Sequence, residues 1–142
     1  MVNIKNPFLD TTVFIAAAFL KEKHHKEGKE IINGVEEGIL AKPVITDYIL
    51  DEIVTFVRKK MGTNASIEIL DTLLSSPNLT LIKVENKHFE AGIQIFKMYG
   101  RLSFTDAITV AVMRDLNIKT IYSFDRGFDG ISGIMRLTTR EE

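Results

Sequence analysis

The chain has 142 residues, 45% hydrophobic and 26% charged, and contains no cysteine. That is the size and usage of one ordinary globular domain, and it excludes disulfides, thiolate metal sites and cysteine nucleophiles. A net charge of -1 and a pI near 6.3 exclude a broad electrostatic grip on nucleic acid. A protein of this composition that acts on a polyanion needs local cations or bound metal.

Met1 to Lys5 hold no basic segment leading into an apolar run, and the best apolar stretch, Val13 to Leu20, is too short to cross a bilayer. A soluble, cytoplasmic protein that does not engage the membrane is expected. No repeat, low-complexity tract or Pro/Gly-rich linker interrupts the chain, so residues 1–142 are read as a single domain.

Pro7 to Asp10 reads as a short buried strand ending in an acid, and Thr11 to Leu20 as the helix that follows at once. His24 to Glu37 is a polar, Lys/Glu-laced helix that stops at Gly38. Leu40 to Thr46 reads as a second strand. Thr46 or Asp47 then caps a helix running to about Met61 and stopped by Gly62. Asn64 to Ser75 is a further helix, Leu79 to Val84 a strand, and Lys87 to Tyr99 a helix ended by Gly100. Phe104 to Leu116 is a helix that is apolar almost all round, which places it inside the structure. Thr120 to Ser123 is a strand, Asp125 to Gly130 a turn, and Ile134 to Thr138 the last strand. This alternation predicts an α/β fold, a central parallel sheet flanked by helices on both faces. In such sheets functional groups gather beyond the carboxyl ends of the strands.

Four acids fall near those points, and each has an ordinary structural use. Asp10, between the first strand and the first helix, could serve as an N-cap. Glu52 lies at the border of the apolar face formed by Ile49, Leu50, Ile53, Phe56 and Val57, where a surface glutamate can snorkel. Asp106, in the first turn of the buried helix, could compensate its dipole beside a Ser103 or Thr105 cap. Asp125 precedes a glycine turn, where aspartate is common. Their joint placement is less ordinary. Carboxylates packed together repel by a few kcal/mol per close pair, as an order-of-magnitude figure at a moderate dielectric, and persist when a cation shares the site. Oxygen ligands without His or Cys favour Mg2+ or Mn2+, and two such ions can activate water and stabilise a leaving oxygen at a phosphodiester.

These segments resemble a known family. Phe8-Leu9-Asp10-Thr11-Thr12, Asp51-Glu52-Ile53, Phe104-Thr105-Asp106-Ala107 and Tyr122-Ser123-Phe124-Asp125-Arg126-Gly127-Phe128 are similar, in order and spacing, to the four motifs of PIN-domain nucleases. The size resembles the VapC-like toxins of toxin–antitoxin pairs. The resemblance implies a three-layer α/β fold and a ribonuclease using Mg2+ or Mn2+. Asp10, Glu52, Asp106 and Asp125 would be the acidic quartet, with Thr11 and Thr105 as supporting hydroxyls. It further implies water attack on phosphate to leave a 5′-phosphate and a 3′-hydroxyl, an RNA substrate, an antitoxin partner and a homodimer. Many members carry an acid or Asn two residues after the fourth Asp; here that position is Gly127, and Asp129 is not taken as its replacement.

Among the cations, Arg126 beside Asp125 is a candidate phosphate contact, whereas Arg58, Lys59 and Lys60 suit a helix C-terminus. His24 and His25 read as surface residues, and neither they nor His88 form a metal-ligand pattern with the acids. Phe89, Phe96 and Tyr99, at helical spacing, read as core or subunit packing. A phospho-acceptor receiver domain is a poor alternative, since Ile134 to Thr138 lacks the required lysine and Glu52 would be unexplained. The remaining alternative is a catalytically inactive PIN scaffold that binds protein or RNA.

Overall fold

The computed structural model describes residues 6–140; the reading of Met1 to Lys5 lies outside them. Five short strands, β1 (Phe8–Leu9), β2 (Val44–Thr46), β3 (Thr80–Ile82), β4 (Thr120–Tyr122) and β5 (Met135–Leu137), form one sheet in the order β3-β2-β1-β4-β5. Every pairing is parallel. The described helices are α1 (Thr11–Ala18), α2 (His25–Glu36), α3 (Asp47–Met61), α4 (Thr63–Ser75), α5 (Asn86–Met98) and α6 (Phe104–Asp115), with a single 3-10 turn at Arg126–Phe128. Among these described residues no helix is long and apolar enough to cross a membrane.

The layering follows from the strand order and from chirality. The chain steps outward from β1 to β2 to β3, then returns across the sheet to β4 and steps outward the other way to β5. Crossovers between parallel strands are right-handed, so reversing the direction of travel transfers the connecting helices to the opposite face. The result is the three-layer α/β arrangement. The reversal falls between β1 and β4, which pair as Phe8 with Ile121 and Leu9 with Tyr122. Beyond the carboxyl ends of those two strands the connections diverge and leave a crevice.

The strands are shorter than the apolar runs that encode them. Leu40 to Lys42 lie outside the ladder, and pairing of β2 begins at Val44, whose N–H donates to the Pro7 carbonyl. Thr46 is the residue that caps α3, accepting from the Ile49 N–H at 3.2 Å, while Asp47 instead accepts from the Val84 N–H at 2.9 Å and ties the end of β3 to α3. Gly62, at φ 93°, ends α3 in a conformation that side chains with a Cβ avoid. The core runs through both layers: Phe8, Leu9, Ile121 and Tyr122 in the central strands, with Val13, Ile31, Ile49, Ile53, Ile108 and Met113 on the helices, all essentially inaccessible to solvent.

The structure places three residues that the sequence left open. His88 is buried, its Nδ1 accepting from the Glu85 N–H and its Nε2 2.8 Å from Asp115, so it staples the start of α5 to the end of α6. Phe89 and Phe96 are exposed at 41% and 45% and meet Phe104 in T-shaped contacts, so of the two readings, core or subunit packing, the core is excluded.

Helix pairs approach closely at two glycines. A Cβ on Gly28 would meet Ala16 Cβ at 2.9 Å, the Ala17 backbone N at 3.0 Å and the Val13 carbonyl at 3.1 Å. A Cβ on Gly92 would meet Ile108 Cδ1 at 2.5 Å, the movable tip of a side chain. Overpacking against backbone costs roughly 1–3 kcal/mol, against a helix-propensity gain of about 1 kcal/mol for Gly to Ala. Gly28→Ala is therefore expected to lower stability clearly in chemical denaturation. Gly92→Ala is expected to change it less, because Ile108 can turn aside; equal losses in the two variants would contradict this account.

Candidate active site

The crevice at the β1/β4 switch point is a cavity of about 700 Å³ whose lining includes Asp10, Glu52, Asp106 and Asp125. Each acid arrives on a different element. Asp10 follows β1, Glu52 faces in from the second turn of α3, Asp106 lies in the first turn of α6, and Asp125 stands three residues beyond β4. They are far apart in sequence and are gathered only because β1 and β4 are neighbours with α3 and α6 starting at the same sheet edge.

Hydroxyl groups fix the carboxylates. Asp10 holds the N-cap position of α1 but makes no side-chain cap bond. Its Oδ2 instead accepts from Ser123 Oγ at 2.7 Å and Thr12 Oγ1 at 2.8 Å. Those two hydroxyls in turn accept from the backbone N–H groups of Asp125 and Phe124, both at 3.0 Å. Thr11 Oγ1 donates to Glu52 Oε1 at 2.7 Å. Asp125 accepts from the Gly127 N–H at 2.8 Å through Oδ1, the turn use expected of it. Ser103 caps α6 by accepting from the Asp106 N–H at 3.1 Å and lines the cavity. Thr105, half-buried on the same turn, is not part of that lining.

Gly127 and Asp129 have structural explanations. A Cβ at position 127 would lie 3.0 Å from both the Arg101 carbonyl and Asp125 Oδ1, so an acid there would crowd the turn. Asp129 is held by the Arg136 guanidinium at 2.8 and 3.1 Å, which keeps its carboxyl below the usual range. It is not among the cavity-lining residues.

Electrostatics sets this cavity apart. Asp10 and Asp106 are 3% and 7% exposed, and among the described residues no lysine or arginine forms an ion pair with any of the four acids. Burial pushes the Asp10 carboxyl up, opposed by its Ser123 and Thr12 hydrogen bonds and aided by Glu52 and Asp125. Asp106 is pushed up to about 8 by burial and then by the charges of Asp10 and Asp125. As the side chains stand, no three acidic or histidine groups among the described residues are close enough to one another to hold a metal ion. Asp106 and Asp125 do lie within side-chain hydrogen-bonding reach of each other, which also favours a proton on Asp106. The donor set, buried carboxylates and hydroxyls without His or Cys, nevertheless has the chemistry of a hard divalent cation site.

Other lining residues carried weaker sequence signals. Asp51, exposed as its helical position suggests, also borders the cavity, as do Glu22, Lys59 and His24. His24 and His25 are half-buried rather than surface residues: His24 stacks on Phe124, and His25 Nδ1 lies 2.8 Å from the Ala16 carbonyl. Arg126 is exposed beside Asp125. The role of Ser123 was legible only as one hydroxyl in a motif, because its bond to Asp10 spans 113 positions.

With this geometry in place, the class of the protein follows. The chain belongs to the PIN domain family, whose model matches residues 8–134. Among individual relatives, a VapC ribonuclease of Archaeoglobus fulgidus is 30% identical over 124 residues, covering 84% of this chain and 77% of that protein. Ribonuclease VapC13 of Mycobacterium tuberculosis is 39% identical over 57 residues, 40% of this chain and 44% of its own length. Two solved structures share the fold. The Mycobacterium tuberculosis VapC20 toxin, described as cleaving the sarcin–ricin loop, has a TM-score of 0.73 at 21% identity over 84% of this chain and 90% of that one. VapBC2 of Rickettsia felis, bound to a fragment of its promoter DNA, has a TM-score of 0.67 at 16% identity over 92% and 96%.

The raised Asp106 carboxyl sets a pH dependence. Unfolded, it loses its proton near the ordinary value of 3.8; folded, near 8. Between those values the native state binds more protons than the unfolded one, so this group's contribution to stability falls as pH rises. Asp106→Asn removes the titration. In EDTA, the stability of Asp106→Asn relative to wild type is expected to grow between pH 5 and pH 8 in urea denaturation; a constant difference would show that the carboxyl is not so perturbed.

Proposed function

We propose that this chain is a Mg2+- or Mn2+-dependent endoribonuclease, the toxin of a toxin–antitoxin pair or a related RNA-processing PIN nuclease. The observation that carries this reading is the convergence of Asp10, Glu52, Asp106 and Asp125 on one cavity, with no cationic side chain paired to them among the described residues. Buried carboxylates repel and are costly to ionise. Without a partner Asp106 keeps its proton at neutral pH; a divalent cation entering the cavity would displace that proton and let the acids serve as ligands.

In this reading those four acids hold the metal. When bound, it supplies positive charge to the phosphate oxygens and lowers the pKa of a water. The chain's own hydroxyls do the positioning. Ser123 and Thr12 orient Asp10, and Thr11 orients Glu52; Thr105 is the further supporting hydroxyl. Arg126 is the exposed cation beside the cavity that meets substrate phosphate. The ribonuclease name of the Archaeoglobus fulgidus relative supports RNA as substrate. The toxin–antitoxin complexes from Klebsiella pneumoniae and Rickettsia felis support an antitoxin partner. A homodimer acting in the cytoplasm completes the proposal, with the exposed Phe96 and Met98 of α5 as apolar surface that a second copy could cover.

The test is cleavage of a labelled RNA panel by the full chain with Mg2+, Mn2+ or EDTA. Activity is expected with either metal and not with EDTA. Asp10→Asn and Asp106→Asn, checked for folding by circular dichroism, are expected to lose about a hundredfold or more. Cleavage that survives both substitutions would remove the quartet from the chemistry. A folded wild type inactive on the whole panel would favour a binding scaffold. A graded effect is expected one layer out: Ser123→Ala and Thr11→Val should each cost about 10- to 100-fold, as is usual for groups that orient ligands, and a loss no smaller than that of Asp10→Asn would mean they do more than orient.

A further inference from the structure

A second cavity, of about 340 Å³, adjoins the acid cavity and shares two lining residues with it, His24 and Phe124. Their rings are stacked, with centroids 4.5 Å apart and planes 10° from parallel. One ring pair is therefore the partition between the two spaces. Both halves of it are tethered. His24 Nδ1 lies 3.0 Å from Glu27 Oε2. The backbone N–H of Phe124 donates to Thr12 Oγ1, the same hydroxyl that donates to Asp10. The position of the partition is thus linked through a single oxygen to a carboxylate of the acid cavity.

The two cavities have opposite electrostatic character. The first gathers the acids. Among the described residues the second is lined by Lys23, Arg126 and Arg136 against one acid, Glu27. Arg136 is committed to Asp129 and to the Ser123 carbonyl, so it serves as wall. Lys23 and Arg126 are exposed, and among the described residues neither has an ion-pair partner. These cations stand one ring pair away from the acid cavity and, among the described residues, pair with none of its carboxylates. A strand of regularly spaced phosphates suits this arrangement, because one phosphate reaching the acid cavity carries its neighbour past the rings to the cations.

We infer that the second cavity holds the RNA phosphate adjacent in the strand to the one that is cut, with Arg126 and Lys23 as its cationic contacts. The His24–Phe124 partition sets the position of that phosphate relative to the acid cavity. Which phosphate is cut rests on the nuclease reading above; the contact between RNA and these cations does not. Arg126 suits the task because its planar guanidinium can give two parallel hydrogen bonds to phosphate oxygens.

The experiment is fluorescence anisotropy of a labelled single-stranded RNA 12-mer of mixed sequence binding to the full chain. It is run in EDTA across a salt series, with a gel to show that the probe stays intact. For single strands each phosphate contact adds about 0.7 to the slope of log affinity against log salt. Arg126→Ala and Lys23→Ala are each expected to make the slope shallower by about 0.7, and the double variant by about 1.4. Arg126→Lys should keep the wild-type slope, and so should Lys97→Ala, which removes an exposed lysine on α5 outside this cavity. Unchanged slopes in the Ala variants, or wild-type binding that does not respond to salt, would overturn the inference. Lost cleavage in Asp10→Asn with unchanged slopes would sink this subsite alone. Shallower slopes with cleavage surviving in Asp10→Asn and Asp106→Asn would keep the RNA contact and sink the quartet.

Discussion

At the carboxyl edge of the sheet, everything depends on how Asp10 is held. It sits at the one place where two adjacent parallel strands send their chains in opposite directions, and its backbone N–H is taken by the Tyr122 carbonyl at 3.0 Å. Its side chain is free of the capping duty that aspartate commonly performs before a helix. Two hydroxyls from opposite sides, Thr12 and Ser123, converge on a single carboxylate oxygen and lie 3.3 Å from each other. Because both also accept from the backbone of the Phe124–Asp125 turn, the placement of Asp125 and of the Phe124 ring follows from the same knot. Two hydrogen bonds of 2.7 and 2.8 Å onto one buried oxygen, each donor itself tied to the backbone of the next turn, make a stiff joint at which to anchor a site.

The second constraint is electrostatic. Desolvation and mutual repulsion both oppose ionisation of Asp10 and Asp106, and no cationic side chain among the described residues relieves them. Elsewhere the protein pairs its acids in the ordinary way: Asp129 with Arg136, and Asp115 with His88 and Lys87, which hold that carboxyl below its usual range. The contrast is informative. Where stability is the aim, the chain supplies a partner; at the switch point, among the described residues, it supplies none. Structural rules broken at one place and obeyed elsewhere mark a site kept for chemistry.

Much of this was legible before folding. The apolar runs of β1 and β4, the all-round apolar α6 and the glycine stops at Gly38, Gly62 and Gly100 define the element order, because burial periodicity and left-handed or flexible termini are local properties. The four acids could be nominated because each lies at a strand end, a helix start or the rim of an apolar face. What could not be read were the ties between them. Ser123 and Thr12 are small hydroxyl residues, common in any loop, and only the pairing of β1 with β4 brings them together. Nothing in the sequence joins His88 to Asp115, 27 positions away, yet the two meet across the α5–α6 interface with the imidazole buried. His24 reads as a surface histidine until Phe124, 100 positions later in the chain, is set face to face with it.

The amino-acid sequence by itself determined which segments become strands and helices, that the sheet would be parallel, and which carboxylates stand at its functional edge. Those properties follow from periodicity, capping and chirality, each of which acts within a few turns of chain or through a general rule of handedness. Only the tertiary structure decided that the carboxylates share one cavity with no cationic partner among the described residues, that hydroxyls on α1 and after β4 aim two of them, and that a ring pair divides this cavity from a basic one. Desolvation and Coulomb repulsion depend on distance in space, and residues more than a hundred positions apart acquire a distance only when β1 and β4 pair.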